Sequence, residues 1–385
     1  MSLGDGGRPG CGSVRHLYVH LPFCVHRCGY CDFVTLVGRA GEHGRYVDAL
    51  LAELELERAA LAPRLETIFL GGGTPTFTSA SELARLLAAL PAAEEVTVEA
   101  NPETVTPELA LLLREHGVTR VSVGVQSFRP HLLAVLERRA TPAAVHAAVY
   151  ALRDVGLDNI SLDLLYGIPG QSAADLDRDL GDALALEPEH LSCYELEAKP
   201  GTRFTHTFGN ELARQAEAME DYFERVVDRL TGAGYRWYET ANFCVHPERA
   251  EGRDLRARHN LAYWRGRDYL GIGIGAVSTV QGRRWRTTPG LGSYLAALGH
   301  GEAPPRELEP LPPSVRRRER VLLGLRLDEP LTLRGLDEAV DLAALGRLEQ
   351  LGLAERTRSG DADESVALTT RGRFLGGGVT AELLA

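Results

Sequence analysis

The sequence predicts an α/β fold: a partial (β/α)6-type barrel followed by a small winged-helix-like α+β domain. Three observations predict it. Short runs rich in Val, Ile, Leu and Tyr alternate about six times with helical patterns, which argues for a parallel sheet with outer helices. Each strand-like run ends in Cys, Gly-Gly-Gly, Glu, Gln or Asp. Active sites of α/β barrels gather at the carboxyl ends of the strands, so such ends favour a barrel over the open doubly wound sheet that alternation alone also allows. Finally, a Pro- and Glu-rich break at residues 300–314 separates this region from a helix-and-hairpin segment.

The strand-like runs in order are HLYVHLPF, TIFLGGG, VTVEANP, RVSVGVQS, NISLDLLYG and HLSCYELEA. Between them lie helical patterns such as YVDALLAELELERAA, ASELARLLAAL, TPELALLLREHG and SAADLDRDLGDALAL, several opening on a Ser or Thr suited to capping. Residues 1–14 read as a disordered Gly-rich tail, 15–299 as the core with an extension, 300–314 as a linker and 315–385 as the C-terminal domain. In that domain VRRRERVLLGLR reads as a helix with a solvated basic face. The later helices and two strands resemble a winged helix. The acidic loop SGDADES argues against DNA as its partner, leaving packing or partner docking.

The 385 residues are 44% hydrophobic and 25% charged, which fits a globular protein. No apolar run approaches the roughly 20 residues that span a bilayer, and the start lacks a secretory pattern, so a cytoplasmic location is expected. A net charge of −11 disfavours general nucleic-acid binding. Six cysteines in so long a chain point to metal or redox chemistry rather than a disulfide framework. Cys193 and Cys244 read as buried thiols, and Cys11 as inert in the tail.

Cys24, Cys28 and Cys31 form C-x3-C-x2-C after the first strand. Clustered thiolates bind zinc or iron–sulfur clusters. A structural zinc site completed by His20 or His26 is the alternative, but it normally takes a tighter knuckle. The spacing favours a [4Fe–4S] cluster. Three thiolates leave one iron open, and Asp32 follows Cys31 where a closed site would add a fourth cysteine.

C-x3-C-x2-C is the signature of the radical S-adenosylmethionine (SAM) superfamily. With YVHLPFCVHRCGYCDF, FLGGGTPT, VEANPE, GVQSF and SLDLLYGIPGQ, the chain resembles the branch of oxygen-independent coproporphyrinogen III dehydrogenase and its relatives, from about Leu17 to at least Ser278. The resemblance implies a radical SAM barrel with SAM on the open iron. It places Tyr18 along SAM and Tyr30 at the adenine. Gly72, Gly73 and Thr74 would meet the amino group, and Glu99 the ribose hydroxyls. Gln126, Arg138 and Asp163 also match SAM-contacting positions. A buried Asp163 needs a partner, and Arg138 is the expected one.

The dehydrogenase motif usually carries a further cysteine two positions after the third, where this chain has Phe33. The N-terminal extension is also short. Both weigh against coproporphyrinogen dehydrogenase activity, and enzyme status stays open. The features are similar to the heme chaperone branch, which binds heme and hands it to acceptor proteins. That resemblance implies heme and acceptor proteins as partners, with transient membrane association as a further expectation. RHNLAYW fits the H-N-x-x-Y-W pattern of this branch and makes His259 the heme candidate, ahead of His20 and His26. A structural histidine is the plainer reading of His259. The dehydrogenase and a related radical SAM methyltransferase are the alternative functions. GIGIGAVS reads as a strand whose glycines permit close backbone approach, lacking the helix and acidic partner of a dinucleotide fingerprint.

Overall fold

The computed structural model describes residues 12–199, 203–359 and 363–385. Its centre is a nine-stranded sheet. The strands are β1 (His16–Leu21), β2 (Leu65–Gly72), β3 (Ala93–Ala100), β4 (Arg120–Gln126), β5 (Ile160–Tyr166), β6 (His190–Glu195), β7 (Tyr235–Glu239), β8 (Asn242–Val245) and β9 (Leu270–Ile272). Their order is β9-β1-β2-β3-β4-β5-β6-β8-β7. From β9 to β6 every pairing is parallel, and β8 and β7 close the row antiparallel. The six expected parallel strands are all present. The GIGIGAVS strand adds a seventh, β9, on the far side of β1.

Helices α1 (His43–Glu57), α2 (Ala80–Ala89), α3 (Pro107–Glu115), α4 (Pro130–Val135), α5 (Pro142–Asp154), α6 (Ala173–Ala185), α7 (Arg203–Ala216) and α8 (Met219–Gly232) fall between the strands. Thr106, Thr141 and Ser172 cap α3, α5 and α6 through their side-chain oxygens, and Asp175 completes a capping box at α6. Strand periodicity divides the layers. Leu17, Val19 and Leu21 of β1 are fully buried and join Leu50 and Leu54 of α1 in the main core. Burying each such side chain contributes about 1.5–3 kcal/mol. The alternate residues His16, Tyr18 and His20 belong to a polar barrel interior.

A short helix, α9 (Arg258–Trp264), lies against β2 and closes the amino end of this interior. Its first backbone N–H groups, from Arg258 and His259, donate to the Glu95 carboxylate at 3.2 Å each. Such a carboxylate suits the positive end of a helix. Beside it, Ser161, His190 and Tyr238 are joined by hydrogen bonds of 2.8 Å each.

After β9 come β10 (Val277–Val280), β11 (Arg283–Thr287), α10 (Leu291–Gly299) and β12 (Arg306–Pro310). β12 pairs with β11 inside the stretch expected to be a linker. Arg306 then reaches Glu57 of α1 at 2.5 Å. Pairing with an edge strand overrides the local Pro/Glu signal, so 306–310 is part of the fold. The tail boundary also moves. Val14 is fully buried and bridges to Leu61, while residues 1–11, with Cys11, lie outside the described residues.

The C-terminal module comprises α11 (Pro313–Gly324), β13 (Leu331–Thr332), α12 (Leu342–Gln350), β14 (Ala354–Ser359), β15 (Asp363–Leu368), α13 (Thr370–Phe374) and α14 (Gly376–Leu383), with sheet order β13-β15-β14. It has its own core, including Val321, Leu345, Leu348 and Val366. Charged contacts join it to the barrel: Arg326 to Glu239 at 2.6 Å and Arg236 to Asp328 at 2.7 Å. Among the described residues, no helix is long and apolar enough to cross a membrane.

Candidate cluster and cofactor site

Just beyond β1, Phe23–Cys24 pairs with Leu36–Val37 and pins both ends of the cysteine loop. Cys24 is buried, while Cys28 and Cys31 are partly exposed, and all three are free thiols. The backbone N–H of Cys31 donates to the Cys28 carbonyl at 3.1 Å. Thr74 Oγ1 lies 3.5 Å from Cys24 Sγ, and Arg138 Nη1 3.7 Å from Cys28 Sγ. The two imidazoles of the zinc alternative differ. His20 is held by Tyr18 OH at 3.0 Å and by the Val34 carbonyl at 2.9 Å, and His26 faces Glu137 at 3.8 Å.

The glycines end β2 in a cradle. Gly72 has φ +112, and a Cβ there would lie 2.4 Å from the His20 ring; at Gly73 it would lie 2.5 Å from the Pro22 backbone. Only glycine lets the chain pass so closely. The Gly72 N–H donates to Glu99 Oε2 at 3.1 Å. Burial and then the charge of Asp163 push the Glu99 carboxyl up to about 7. Asn101, within VEANPE, donates to Thr74 Oγ1 at 3.0 Å and accepts from Arg138 Nη2 at 2.9 Å; no local signal in the motif marks it. Arg138 also donates to the Gly124 carbonyl at 2.7 Å. A polar chain thus runs from Cys24 through Thr74, Asn101 and Arg138 to Cys28.

The expected Arg138–Asp163 pair is absent. Asp163 instead accepts from Ser122 at 2.9 Å and from Ser161 at 3.2 Å. These serines neighbour it through the strand register, their hydroxyls satisfy the buried carboxylate, and the charge of Arg120 also favours its ionised form. Burial pushes its pKa up. Gln126 ends β4 at a register shift with φ 67, a left-handed conformation rare outside glycine. Tyr18 stacks on Phe69 inside the barrel at 6.2 Å between ring centroids. Tyr30 lies within electrostatic reach of Arg138, Cys28 and Cys31 and is edge-on to Phe204 at 6.4 Å.

His259, the heme candidate, lies at the other end of the barrel interior. It is 1% exposed within α9. Nδ1 lies 2.7 Å from Thr67 Oγ1 and Nε2 3.0 Å from Tyr263 OH. Burial lowers its pKa to about 3. With both nitrogens hydrogen-bonded and the ring enclosed, His259 ties α9 into the barrel. Cys193 and Cys244 are buried, as expected.

A sequence model of the radical SAM superfamily matches residues 18–183. Over almost the whole length the chain is 36% identical to the heme chaperone HemW of Mycobacterium tuberculosis, covering 97% of this chain and 95% of that protein. The chain belongs to the HemW family. HemW of Bacillus subtilis is 31% identical, covering 96% of this chain and 99% of that protein, and HemW of Escherichia coli is 39% identical over 71% of this chain and 72% of that one. Among solved structures, coproporphyrinogen III oxidase (HemN) of E. coli superposes with a TM-score of 0.78 at 22% identity, covering 97% of this chain and 90% of that chain. That likeness establishes a shared radical SAM fold. Membership in the HemW family, within the radical SAM superfamily, implies a [4Fe–4S] cluster and SAM. The chain's residues fit both, with three free thiols beside a glycine cradle that has no room for a side chain.

Proposed function

We propose that this chain is a heme chaperone: it binds heme and passes it to acceptor proteins, and it carries a [4Fe–4S] cluster with SAM at the open iron. The observation that carries this reading is the full-length similarity to proteins named heme chaperones. Phe33 supports it. It is 68% exposed and fills the place where the dehydrogenase motif carries a further cysteine.

In this reading Cys24, Cys28 and Cys31 would hold the cluster, leaving one iron for SAM. The cluster, when bound, supplies an electron to the SAM sulfonium. Gly72, Gly73 and Thr74 give backbone and hydroxyl groups room to approach the amino group. Glu99, ionised, accepts from the ribose hydroxyls. Arg138, spanning Asn101 and Cys28, keeps the cradle and the cysteine loop in register and adds positive charge beside a thiolate. Gln126 and Asp163 line the mouth from the neighbouring strands, while Tyr18 and Tyr30 flank the ligand.

The test is product analysis under anaerobic conditions with reconstituted protein, SAM, dithionite and coproporphyrinogen III. The chaperone reading expects no decarboxylated porphyrinogen. Protoporphyrinogen formation overturns it and makes the chain a dehydrogenase despite Phe33.

A further inference from the structure

A cavity of about 330 Å³ opens beside the cysteine loop. That is at the small end of the roughly 300–1,000 Å³ of pockets that hold organic ligands, so a macrocycle seated there keeps an edge in solvent. Phe33 of the loop borders it, with the inward-facing Tyr18 and His20 of β1 and Tyr263 of α9. Arg286 and Asp32 bring one charge of each sign. The charges balance, and three aromatic side chains remain to hold an apolar body.

His259 is not in that lining, but it stands one hydroxyl behind it. His259 and Tyr263 are i and i+4 on α9 and share a face. The Tyr263 hydroxyl, on a residue of the cavity wall, lies 3.0 Å from His259 Nε2. From the other ring nitrogen a chain of hydrogen bonds leads to the opposite side of the strand layer. His259 Nδ1 lies 2.7 Å from Thr67 Oγ1, and Thr67 Oγ1 lies 2.9 Å from His16 Nδ1. His16 Nε2 is 3.7 Å from Glu66 Oε2, and Glu66 also accepts from Arg15 at 3.0 Å.

The chain assigns the protons. Thr67 has one proton to donate between two imidazoles. The Glu66 charge favours the His16 proton on Nε2, which leaves His16 Nδ1 to accept from Thr67. Thr67 then accepts from His259 Nδ1–H. A neutral imidazole carries one N–H, and burial keeps His259 neutral. Nε2 is therefore the bare nitrogen, and it accepts from the Tyr263 hydroxyl. Histidines that ligate metals are held in the same manner, with the non-ligating N–H tied to a fixed acceptor. Neutral imidazole is also a common axial ligand of heme iron.

We infer that Tyr263 is a cap on His259 Nε2, and that heme in the cavity beside the cysteine loop takes this nitrogen as an axial ligand once the cap swings aside. One hydrogen bond breaks, the iron–Nε2 bond forms, and the phenol keeps its proton. Thr67, His16 and Glu66 are positioning residues that hold the His259 proton on Nδ1. The inference rests on the heme reading above and adds to it the gate and the device that presents the lone pair.

The experiment titrates hemin into the anaerobically reconstituted full chain and into its Tyr263→Phe, Thr67→Val, Thr67→Ser and His259→Gln variants. The Soret band reads binding, and melting curves set a temperature at which each variant is folded. Tyr263→Phe deletes only the capping hydroxyl. It is expected to bind hemin about three- to tenfold more tightly than the wild type, the worth of one hydrogen bond, with the Soret band unmoved. Thr67→Val should weaken binding about threefold or more, and Thr67→Ser, which keeps the hydroxyl, should restore it. His259→Gln should shift the Soret band; if it fails to fold, Tyr263→Phe decides alone. Unchanged or weaker binding by Tyr263→Phe overturns the cap and leaves the heme reading standing. No binding by the wild type overturns both.

Discussion

Gly72 donates its backbone N–H to the carboxylate of Glu99 across 3.1 Å, linking the ends of two neighbouring parallel strands at the barrel mouth. The bond holds the one acidic side chain of the mouth that is poised for a ribose, and it does so in a setting that disfavours charge. Burial first, and then the charge of Asp163, lift the Glu99 carboxyl from 4.5 to about 7. A group that holds its proton more tightly when folded lowers stability as pH rises between those two values. The ligand-free protein is therefore expected to lose melting temperature from pH 4.5 to 7. Glu99→Gln should flatten that segment when melting is followed by circular dichroism at a series of pH values. An unchanged slope contradicts the account. SAM binding runs the other way, strengthening across the same range as the acceptor ionises.

The glycine cradle predicts a severe effect from one methyl group. At Gly73 an added Cβ would stand 2.5 Å from the Pro22 carbonyl group. Backbone cannot swing aside as a side chain does, so Gly73→Ala should cost about 1–3 kcal/mol of stability. It should also push apart the cradle and the start of the cysteine loop. Denaturant titration reads the first effect and calorimetric SAM binding the second. Wild-type values in both contradict the account.

The cysteines divide by environment. Cys24→Ala, Cys28→Ala or Cys31→Ala should each abolish most of the iron, sulfide and visible absorbance gained on reconstitution. Cys193→Ala and Cys244→Ala should leave all three unchanged, because those thiols are buried in the fold and burial pushes their pKa values up. Iron and sulfide analysis of the five variants decides the matter. A loss of cluster in either of the last two contradicts the assignment.

His259→Ala should cost stability. It removes a partner from the Tyr263 hydroxyl and from Thr67 Oγ1, which keeps His16, and empties a packed site, costing about 2–4 kcal/mol. Thermal melting followed by circular dichroism reads the loss. An unchanged melting temperature contradicts the account.

The contact between barrel and module gives another expectation. Glu239 is fully buried and accepts from Arg326 at 2.6 Å. Arg326→Ala removes that half-exposed cation while Asn242 and the Ala241 N–H still donate to the carboxylate, a change that costs about 1–3 kcal/mol. Limited proteolysis should then cut between barrel and module sooner than in the wild type. Equal protection contradicts the contact.

The barrel was legible because each parallel strand announces itself twice, by its apolar run and by the polar residue at its end. Cys24, Gly72, Glu99, Gln126 and Asp163 all reach the structure in the strands, or at the strand ends, where the pattern put them. Partnerships were less legible. Which group faces Asp163 depends on strand register, and register sets Ser122 and Ser161 beside it while Arg138 turns to Asn101 and Gly124. β12 was hidden by Pro and Glu, which local pattern reads as linker and an edge strand tolerates. The amphipathic motif of α9 gave no sign that His259 points inward, since burial there comes from the barrel end that it closes. The cavity beside the cysteine loop had no local signal at all. Its walls come from Tyr18, Phe33, Tyr263 and Arg286, which only tertiary packing brings together.

The most direct measurement is a hemin titration of the anaerobically reconstituted full chain, with iron and sulfide determined on the same sample. The account predicts a protein that carries its cluster and takes up hemin saturably at one per chain. A protein that carries the cluster and shows no saturable hemin binding contradicts it.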